Sequence, residues 1–356
     1  MQNNQAIPFN KENFKQILSK EFAWVIVVSI PAALVADYFN VPLAWFLGPM
    51  LITSVATLGG LKTKMPRLVL STVLIFLGLY IGNYVDKNLF SQINQWVWTS
   101  LIMLVYIIVS VLLVSKYLQK FSGYETKTSI FSAAPGALGP LLILAENTKS
   151  DLSQVATSHL IRLIIIITVF PFLVDSFYNA ENIQITEEVV VEQNILHLII
   201  LLALSILFIF LFDKLKIPAA LLSGTLVASG FLQITEIASY KLPANVIDYC
   251  LLILGASVGC RFANKTFNEV ARNTLHSFVA TSLLVLLGVI AAFIAGLFID
   301  KNFFTLLLSY CPGGIYEVAV IAIFFDLDPE FVSFHHIIRL LMILFTVPII
   351  LKILKR

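Results

Sequence analysis

The sequence predicts an all-α polytopic membrane protein made of two inverted-topology repeats, each with about five spans plus a Pro-Gly-broken or re-entrant segment. Composition, an internal duplication and the distribution of basic residues predict this fold. Of the 356 residues, 59% are hydrophobic and only 12% are charged, and the mean hydropathy is +0.92. A soluble chain carries about a quarter charged residues. The apolar runs are about 17–25 residues long, which is enough to span a bilayer core of about 30 Å.

Six apolar segments are predicted in each half of the chain. We divide the chain into a cytoplasmic N-terminal segment (1–20), a first membrane repeat (21–175), an acidic extracellular linker (176–194) and a second membrane repeat (195–356). The predicted segments are 22–39, 42–60, 68–85, 97–118, 128–145 and 152–175 in the first half, and 195–212, 218–234, 246–262, 275–299, 303–325 and 331–351 in the second.

The duplication is strongest between Ser129–Pro171 and Phe304–Pro348. Residues of the same type recur there at one offset of 177 residues: Pro135 and Pro312, Gly136 and Gly313, Asp151 and Asp328, Val155 and Val332, His159 and His336, Arg162 and Arg339, Pro171 and Pro348. Self-similarity at a fixed period indicates a repeated structural unit.

The third segments carry glycines four residues apart, Gly78 with Gly82 and Gly255 with Gly259. Small residues at this spacing let two helix backbones approach closely in a membrane. We interpret them as packing positions.

Basic loops predict the orientation, because Lys and Arg are enriched on the cytoplasmic side of membrane proteins. On this rule both termini are inside, the linker is outside, and the halves have opposite orientations. The basic residues used are Lys11, Lys15, Lys20, Lys62, Lys64, Arg67, Lys116, Lys120, Lys127, Lys214, Lys216, Arg261, Lys265, Arg272, Lys352, Lys355 and Arg356; the linker acids are Glu181, Glu187, Glu188 and Glu192.

Opposite orientations require an odd number of crossings in each half, so one of six segments must be irregular. The fifth is the best choice, because Pro135-Gly136 and Pro312-Gly313-Gly314 would break a helix. Freed backbone groups at membrane depth must face protein or a water-lined cavity. A parallel duplication of six true spans is the alternative, and it would place Arg261, Lys265 and Arg272 outside.

Inverted repeats with broken helices are the architecture of secondary transporters, in which half-helix ends face a site near the midplane. We therefore predict that substrate binds between the two breaks, with two arginines nearby. The predicted substrate-binding residues are Ala134, Pro135, Gly136, Ala137, Pro312, Gly313, Gly314, Arg162 and Arg339.

Three ionisable residues are predicted to couple transport to a proton or cation: Glu317, His159 and His336. An intramembrane carboxylate is costly and is a functional hypothesis by default; a structural ion pair with Arg339 is the alternative. The arginines could instead be fixed partners of broken-helix carbonyls, and the histidines could join helices by hydrogen bonds. Asp151 and Asp328 are interpreted as acids that stabilise helix N-termini.

The repeated APG[AG] element, followed about twenty residues later by H-x-x-R-L and a proline, resembles the AbrB family of duplicated membrane proteins. In that family the element typically reads APGGLSEM. The second copy, CPGGIYEVAVIA, keeps the glutamate as Glu317, whereas Gly139-Pro140 replace it in the first. The resemblance covers the chain from Glu21 onward and implies transport, with a distant similarity to the cation:proton antiporter and bile-acid-type transporters.

We therefore expect a secondary-active transporter of a small solute, such as an organic anion or amphipathic metabolite, that works by alternating access in a bacterial plasma membrane. A membrane sensor or regulatory partner is the alternative. An intramembrane enzyme is disfavoured, because the sequence lacks GxSxG, HExxH, P-loop and dinucleotide motifs. We expect no catalytic residues, metal, cofactor or nucleic acid; the partners are the lipid bilayer and the solute or ion, and the architecture is compatible with a homodimer.

Overall fold

The computed structural model describes residues 11–85, 89–136, 138–146, 148–178, 195–237, 244–263 and 265–353. Within these ranges the chain forms helices and no strand. The helices are α1 (Lys11–Ile17), α2 (Lys20–Tyr38), α3 (Ala44–Leu58), α4 (Arg67–Gly82), α5 (Leu89–Ser122), α6 (Thr126–Ala133), α7 (Leu138–Glu146), α8 (Leu152–Phe177), α9 (Ile195–Lys214), α10 (Ala220–Thr235), α11 (Ala244–Cys260), α12 (Phe267–Ala295), α13 (Phe303–Tyr310), α14 (Ile315–Phe324) and α15 (Pro329–Ile353).

Six of the described helices are long and apolar enough to cross a bilayer. They contain the stretches Lys20–Tyr38, Trp96–Ser122, Leu152–Phe177, Leu196–Lys214, Phe267–Ala295 and Pro329–Ile353. Shorter apolar helices, α3, α4, α10, α11 and α14, lie between them in the chain. The predicted class, an all-α polytopic membrane protein, is confirmed by this helix set.

The helices form two compact units, and each unit takes helices from both halves of the sequence. The first unit contains α1–α4 and α9–α11, together with Ile323–Asp326 at the end of α14. The second contains α5–α8, α12, α13, the rest of α14 and α15. The repeat and linker boundaries at 20, 175 and 194 stay predictions. Residues 1–10 and 179–194 lie outside the described residues.

The first unit is held together by close helix pairs, α3 with α11 and α4 with α10. A Cβ atom added at Gly78 would lie 2.5 Å from the Leu222 carbonyl oxygen, and one added at Gly255 would lie 2.2 Å from that of Phe46. No real side chain fits at these distances. The glycines of the third segments therefore permit the close backbone approach that the sequence predicted.

In the second unit, the long helix α5 is hydrogen-bonded to both α12 and α15. The Tyr106 hydroxyl donates to the Leu284 carbonyl at 3.3 Å, and the Thr99 hydroxyl lies 2.7 Å from His335 Nε2. The hydroxyl of Tyr310, the last residue of α13, donates to the Thr99 carbonyl at 2.8 Å. These buried polar contacts fix α5 against α12, α15 and the half-helix α13 of the second break.

The fifth segment is broken in both halves, as predicted. α6 ends at Ala133 and α7 begins at Leu138, while α13 ends at Tyr310 and α14 begins at Ile315. The residue before each proline leaves the helical conformation, with ψ of 125° at Ala134 and 130° at Cys311. A proline disfavours the α conformation in the residue before it, which explains where each helix ends.

Each proline is the central residue of a short turn. The Gly136 amide donates to the Ala134 carbonyl at 2.9 Å, and the Gly313 amide donates to the Cys311 carbonyl at 2.8 Å. This bond spans two residues, as in a γ-turn. The two breaks therefore share the same local geometry.

Candidate functional site

Each break is held by an arginine from the helix that follows it. Arg162 on α8 donates through Nη1 to the Ala134 carbonyl at 2.7 Å and through Nη2 to the Ser132 carbonyl. The last carbonyls of a helix have no partner within the helix and form the negative end of its dipole. The guanidinium supplies both hydrogen bonds and charge to the C-terminal end of α6.

Arg339 on α15 has the same role at the second break. It donates through Nη1 to the Cys311 carbonyl and through Nη2 to the Gly313 carbonyl at 2.6 Å. Arg162 is 3% exposed and Arg339 is 2% exposed. This geometry agrees with one of the two roles considered for the arginines, that of fixed partners of broken-helix carbonyls. Their role in binding substrate stays a prediction.

The two histidines that lie 177 residues apart also bond the C-terminal ends of the half-helices. His159 Nε2 lies 2.9 Å from the Phe131 carbonyl, and His336 Nε2 lies 2.9 Å from the Leu308 carbonyl. A carbonyl only accepts, so Nε2 carries the proton in each ring. Arg339 Nη2 lies 3.0 Å from His336 Nδ1, which must therefore accept. This arrangement requires a neutral His336 and favours the helix-joining alternative over a proton relay.

Each break packs against the final helix of the other half of the chain. A Cβ atom at Gly136 would lie 2.6 Å from Ile343 Cδ1 on α15, and one at Gly313 would lie 3.4 Å from Ile166 Cγ2 on α8. The positive charges of Arg162 and Arg339 are close enough to repel each other. The structure thus brings together both breaks and both arginines of the predicted site. Ala137 lies outside the described residues.

Glu317 lies in the first turn of α14 and is only 1% exposed. Its carboxylate folds over the half-buried Gly314, where an added Cβ would lie 2.0 Å from Oε2. A carboxylate in the first turn is stabilised by the positive end of the helix dipole. Glu317 is therefore placed at the second break, as predicted, and its coupling role stays a prediction.

The first break differs at the matching position. Pro140 stands 177 residues before Glu317, and the first turn of α7 contains no acidic residue. Gly139 beside it is exposed, and a Cβ atom added there would meet nothing within 4 Å. The space beside Gly139 in the first turn of α7 is therefore open, whereas the matching turn of α14 holds a carboxylate.

The acids before the final helices have different contacts in the two halves. Asp151 Oδ1 accepts from the Gln154 amide at 3.0 Å, so it caps α8 as the sequence predicted. Asp328 instead forms an ion pair with Lys301 at 3.0 Å and accepts from the Thr305 hydroxyl at 3.4 Å. Thr128, the counterpart of Thr305, accepts from the Asp151 amide at 3.0 Å. Both acids therefore fix the start of a final helix against the segment before it.

One feature of the second unit was not predicted from the sequence. An apolar groove with a volume of about 240 Å³ lies beside α6 and the end of α15. Its lining combines isolated apolar residues of distant segments, so no local pattern could reveal it. The lining residues are Phe131, Leu144, Thr148, Pro348, Leu351 and Lys352.

The described residues contain no group of three or more His, Cys, Asp or Glu side chains that could hold a metal ion. The site consists instead of two interrupted helices, two guanidinium groups and one carboxylate. The fold and site define a class: polytopic helical membrane proteins with two interrupted helices, each held by a buried arginine.

Comparison with known proteins identifies the family. Residues 2–86 and 45–355 match the model of a family named AbrB and described as "Transition state regulatory protein AbrB". The match covers nearly the whole chain, so the protein belongs to the AbrB family.

Two relatives match along most of their length. The chain is 20% identical over 348 residues to "Uncharacterized protein YhjN" of Bacillus subtilis, covering 91% of each protein. It is 22% identical over 318 residues to "Putative regulator AbrB" of Escherichia coli, covering 88% of this chain and 90% of the relative. No solved structure matches the chain.

Proposed function

We propose that this AbrB-family membrane protein is a secondary-active transporter of a small solute, coupled to a proton or cation. The observation that carries the proposal is the pair of breaks, each packed against the final helix of the other half and each held by a buried arginine. Broken helices at membrane depth place helix dipoles and backbone groups around a binding site. A bundle that only anchors or binds a partner has no need for two matched interruptions.

In the proposed mechanism, solute binds between the breaks and the protein alternates between states open to each side of the membrane. Glu317 takes up the coupling proton or cation, since it is the one acidic side chain buried among the described residues. Burial makes an ionised carboxylate costly unless it is paired. Loading with a cation or proton lowers that cost, so the charge state of Glu317 can bias which state the protein adopts.

The inverted repeat belongs to the same proposal. Contacts at the breaks recur at the offset of 177 residues: His159 with Phe131 and His336 with Leu308, Gly136 with Ala134 and Gly313 with Cys311. We place the protein in a bacterial plasma membrane with both termini in the cytoplasm, on the basis of its basic loops. A homodimer in the bilayer is part of this proposal.

Glu317→Gln tests the coupling directly. Solutes are first screened by their effect on the melting temperature of the purified protein, and uptake of the stabilising solute is then measured in proteoliposomes. We expect an imposed pH or cation gradient to drive uptake by the wild type and not by Glu317→Gln. Asp326→Asn, at an exposed position, is the matched control. Equal gradient-driven uptake by Glu317→Gln and wild type would exclude Glu317 as the coupling site.

A membrane-embedded regulator is the second candidate, and the regulatory wording in the family description and in the name of the E. coli relative favours it. A regulator would bind the solute or a partner without moving solute across the bilayer. Stabilisation by a solute together with no flux in a folded preparation would favour this function over transport.

A further inference from the structure

The two broken segments have four half-helix ends, and three of them carry an opposite charge. Arg162 lies at the C-terminal end of α6, Arg339 at that of α13, and Glu317 in the first turn of α14. The N-terminus of the nine-residue helix α7 has no acid in its own first turn, because Pro140 takes the place of the glutamate. No acidic side chain in the first turn of α7 therefore balances the positive end of its helix dipole.

The buried charged side chains likewise include more positive than negative groups. In the part of the chain that the structure describes, the buried side chains of Arg, Lys, Asp and Glu are those of Arg162, Arg339 and Glu317. Their sum is one positive charge when Glu317 is ionised. An uncompensated buried charge is strongly unfavourable, whereas a bound anion would balance it.

Two buried donors at the first break have no hydrogen-bond acceptor. Arg162 uses Nη1 and Nη2 on carbonyls of the break, but its Nε has no partner. The Ser132 hydroxyl, in the last turn of α6, is fully buried and also has none. Arg339 Nε also lacks a partner at the second break, whereas Ser309, the counterpart of Ser132, donates to the Thr305 carbonyl at 2.9 Å. Buried polar groups are normally satisfied, so the unpartnered Ser132 hydroxyl at the first break indicates a ligand with acceptor atoms.

We propose that the break before α7 binds the carboxylate group of the solute, which takes the place that Glu317 fills at α14. Amides at the start of α7 and the charge of Arg162 would bind the carboxylate oxygens. Pro140 gives no amide but leaves the space that a glutamate side chain would occupy. This inference rests on the proposed function for the solute's transport, whereas the binding itself can be tested without transport.

The test adds the missing carboxylate to the protein. Pro140→Glu puts an acid at the third residue of α7, the position that Glu317 has in α14, and Pro140→Gln is the neutral control of the same length. The melting temperature of each protein is titrated with butyrate and benzoate, with butyramide and benzamide as neutral matches, and with chloride at equal ionic strength.

We expect the two carboxylates to stabilise the wild type and Pro140→Gln more than the amides or chloride do. In Pro140→Glu the concentration for half-maximal stabilisation should rise at least about tenfold, which corresponds to a loss of about 1.4 kcal/mol of binding free energy. Unchanged carboxylate stabilisation in Pro140→Glu would overturn the proposal. So would equal stabilisation of the wild type by amides or chloride, a comparison that decides the matter even if Pro140→Glu does not fold.

Failure of this inference is distinguishable from failure of the proposed function. Carboxylate-specific stabilisation without flux would support this site and contradict transport. Flux of a solute with no preference for carboxylates would support transport and contradict this site.

Discussion

Arg162 and Arg339 show how single residues maintain an interrupted helix inside a membrane protein. Each guanidinium spans two backbone carbonyls that lipid could not satisfy, while a histidine one turn earlier on the same helix bonds a third. The planar fork of arginine can bond both carbonyls at once, whereas lysine presents a single point charge. Stability at the breaks should therefore depend on arginine itself and not only on positive charge.

Replacing either buried arginine by lysine should destabilise the protein. At least one carbonyl loses its donor in Arg162→Lys or Arg339→Lys, and a buried unsatisfied group costs about 1–3 kcal/mol. The free energy of unfolding in mixed micelles measures the effect. Arg272→Lys, on an exposed position of α12, is the control and should change little. Equal stability of Arg339→Lys and Arg272→Lys would contradict the role given to the guanidinium fork.

The sequence predicted that these arginines and histidines lie near the breaks. Proline, glycine, histidine and arginine recur there in apolar surroundings, where polar side chains need specific partners. The sequence left open whether His336 joins helices or relays protons. Hydrogen-bond geometry bears on that choice, since one ring nitrogen faces a carbonyl and the other faces a guanidinium. Local sequence does not show which atom each ring nitrogen of His336 contacts. One partner, the Leu308 carbonyl, is 28 residues away, and the other, Arg339, is three residues away.

Helix elements follow from the same physical rules. The second and third segments of each half are shorter than the long spans, and they pack through glycines rather than interlocking side chains. Close backbone contact replaces the hydrophobic effect, which drives little association between helices already in lipid. The helix boundaries were predictable to within a few residues except at the starts of α5 and α12, which begin at Leu89 and Phe267, each eight residues before the predicted start.

The early start of α12 has a local cause. Thr266 and Glu269 form a capping box, in which the Thr266 hydroxyl accepts from the Glu269 amide and the Glu269 carboxylate accepts from the Thr266 amide, both at 3.3 Å. This motif begins a helix in polar sequence ahead of the apolar span. Hydropathy alone therefore located the apolar membrane span but not the polar first turns of the helix.

Gly255→Ala should weaken the pairing of α3 with α11. The added Cβ would lie 2.2 Å from the Phe46 carbonyl oxygen, so the two backbones must separate. Overpacking of this kind costs about 1–3 kcal/mol, measurable as a lower free energy of unfolding. Gly288→Ala on α12 is the matched control, because its Cβ would meet nothing nearer than 3.4 Å. A Gly255→Ala protein as stable as Gly288→Ala would contradict the close approach.

At the scale of the whole molecule, the chain is divided in two ways. The sequence pattern predicts two consecutive repeats, whereas the compact units each combine helices from both halves. A sequence pattern reveals duplication but not which helices pack together, because packing depends on surfaces that only the folded chain brings into contact. The two-unit arrangement is therefore the part of the fold that the sequence did not predict.

Membrane orientation separates the inverted from the parallel arrangement of the halves. A cysteine at Lys265 should not react with an impermeant maleimide in intact cells if the halves are inverted, since its loop would be cytoplasmic. A cysteine at Glu187 in the linker should react, and one at Lys64 should not. These two positions are the controls, in a background where Cys250, Cys260 and Cys311 are replaced by serine. Labelling at Lys265 in intact cells would support the parallel arrangement.

Solute counterflow tests the central claim, that the paired breaks form a transport site, most directly. Proteoliposomes are loaded with the unlabelled stabilising solute and diluted into a trace of labelled solute, with no ion gradient. We predict transient accumulation of label by the wild type, and by Glu317→Gln as well, because exchange requires alternating access but no net coupling. Label that never exceeds the level in protein-free liposomes, with folded wild type, would contradict transport.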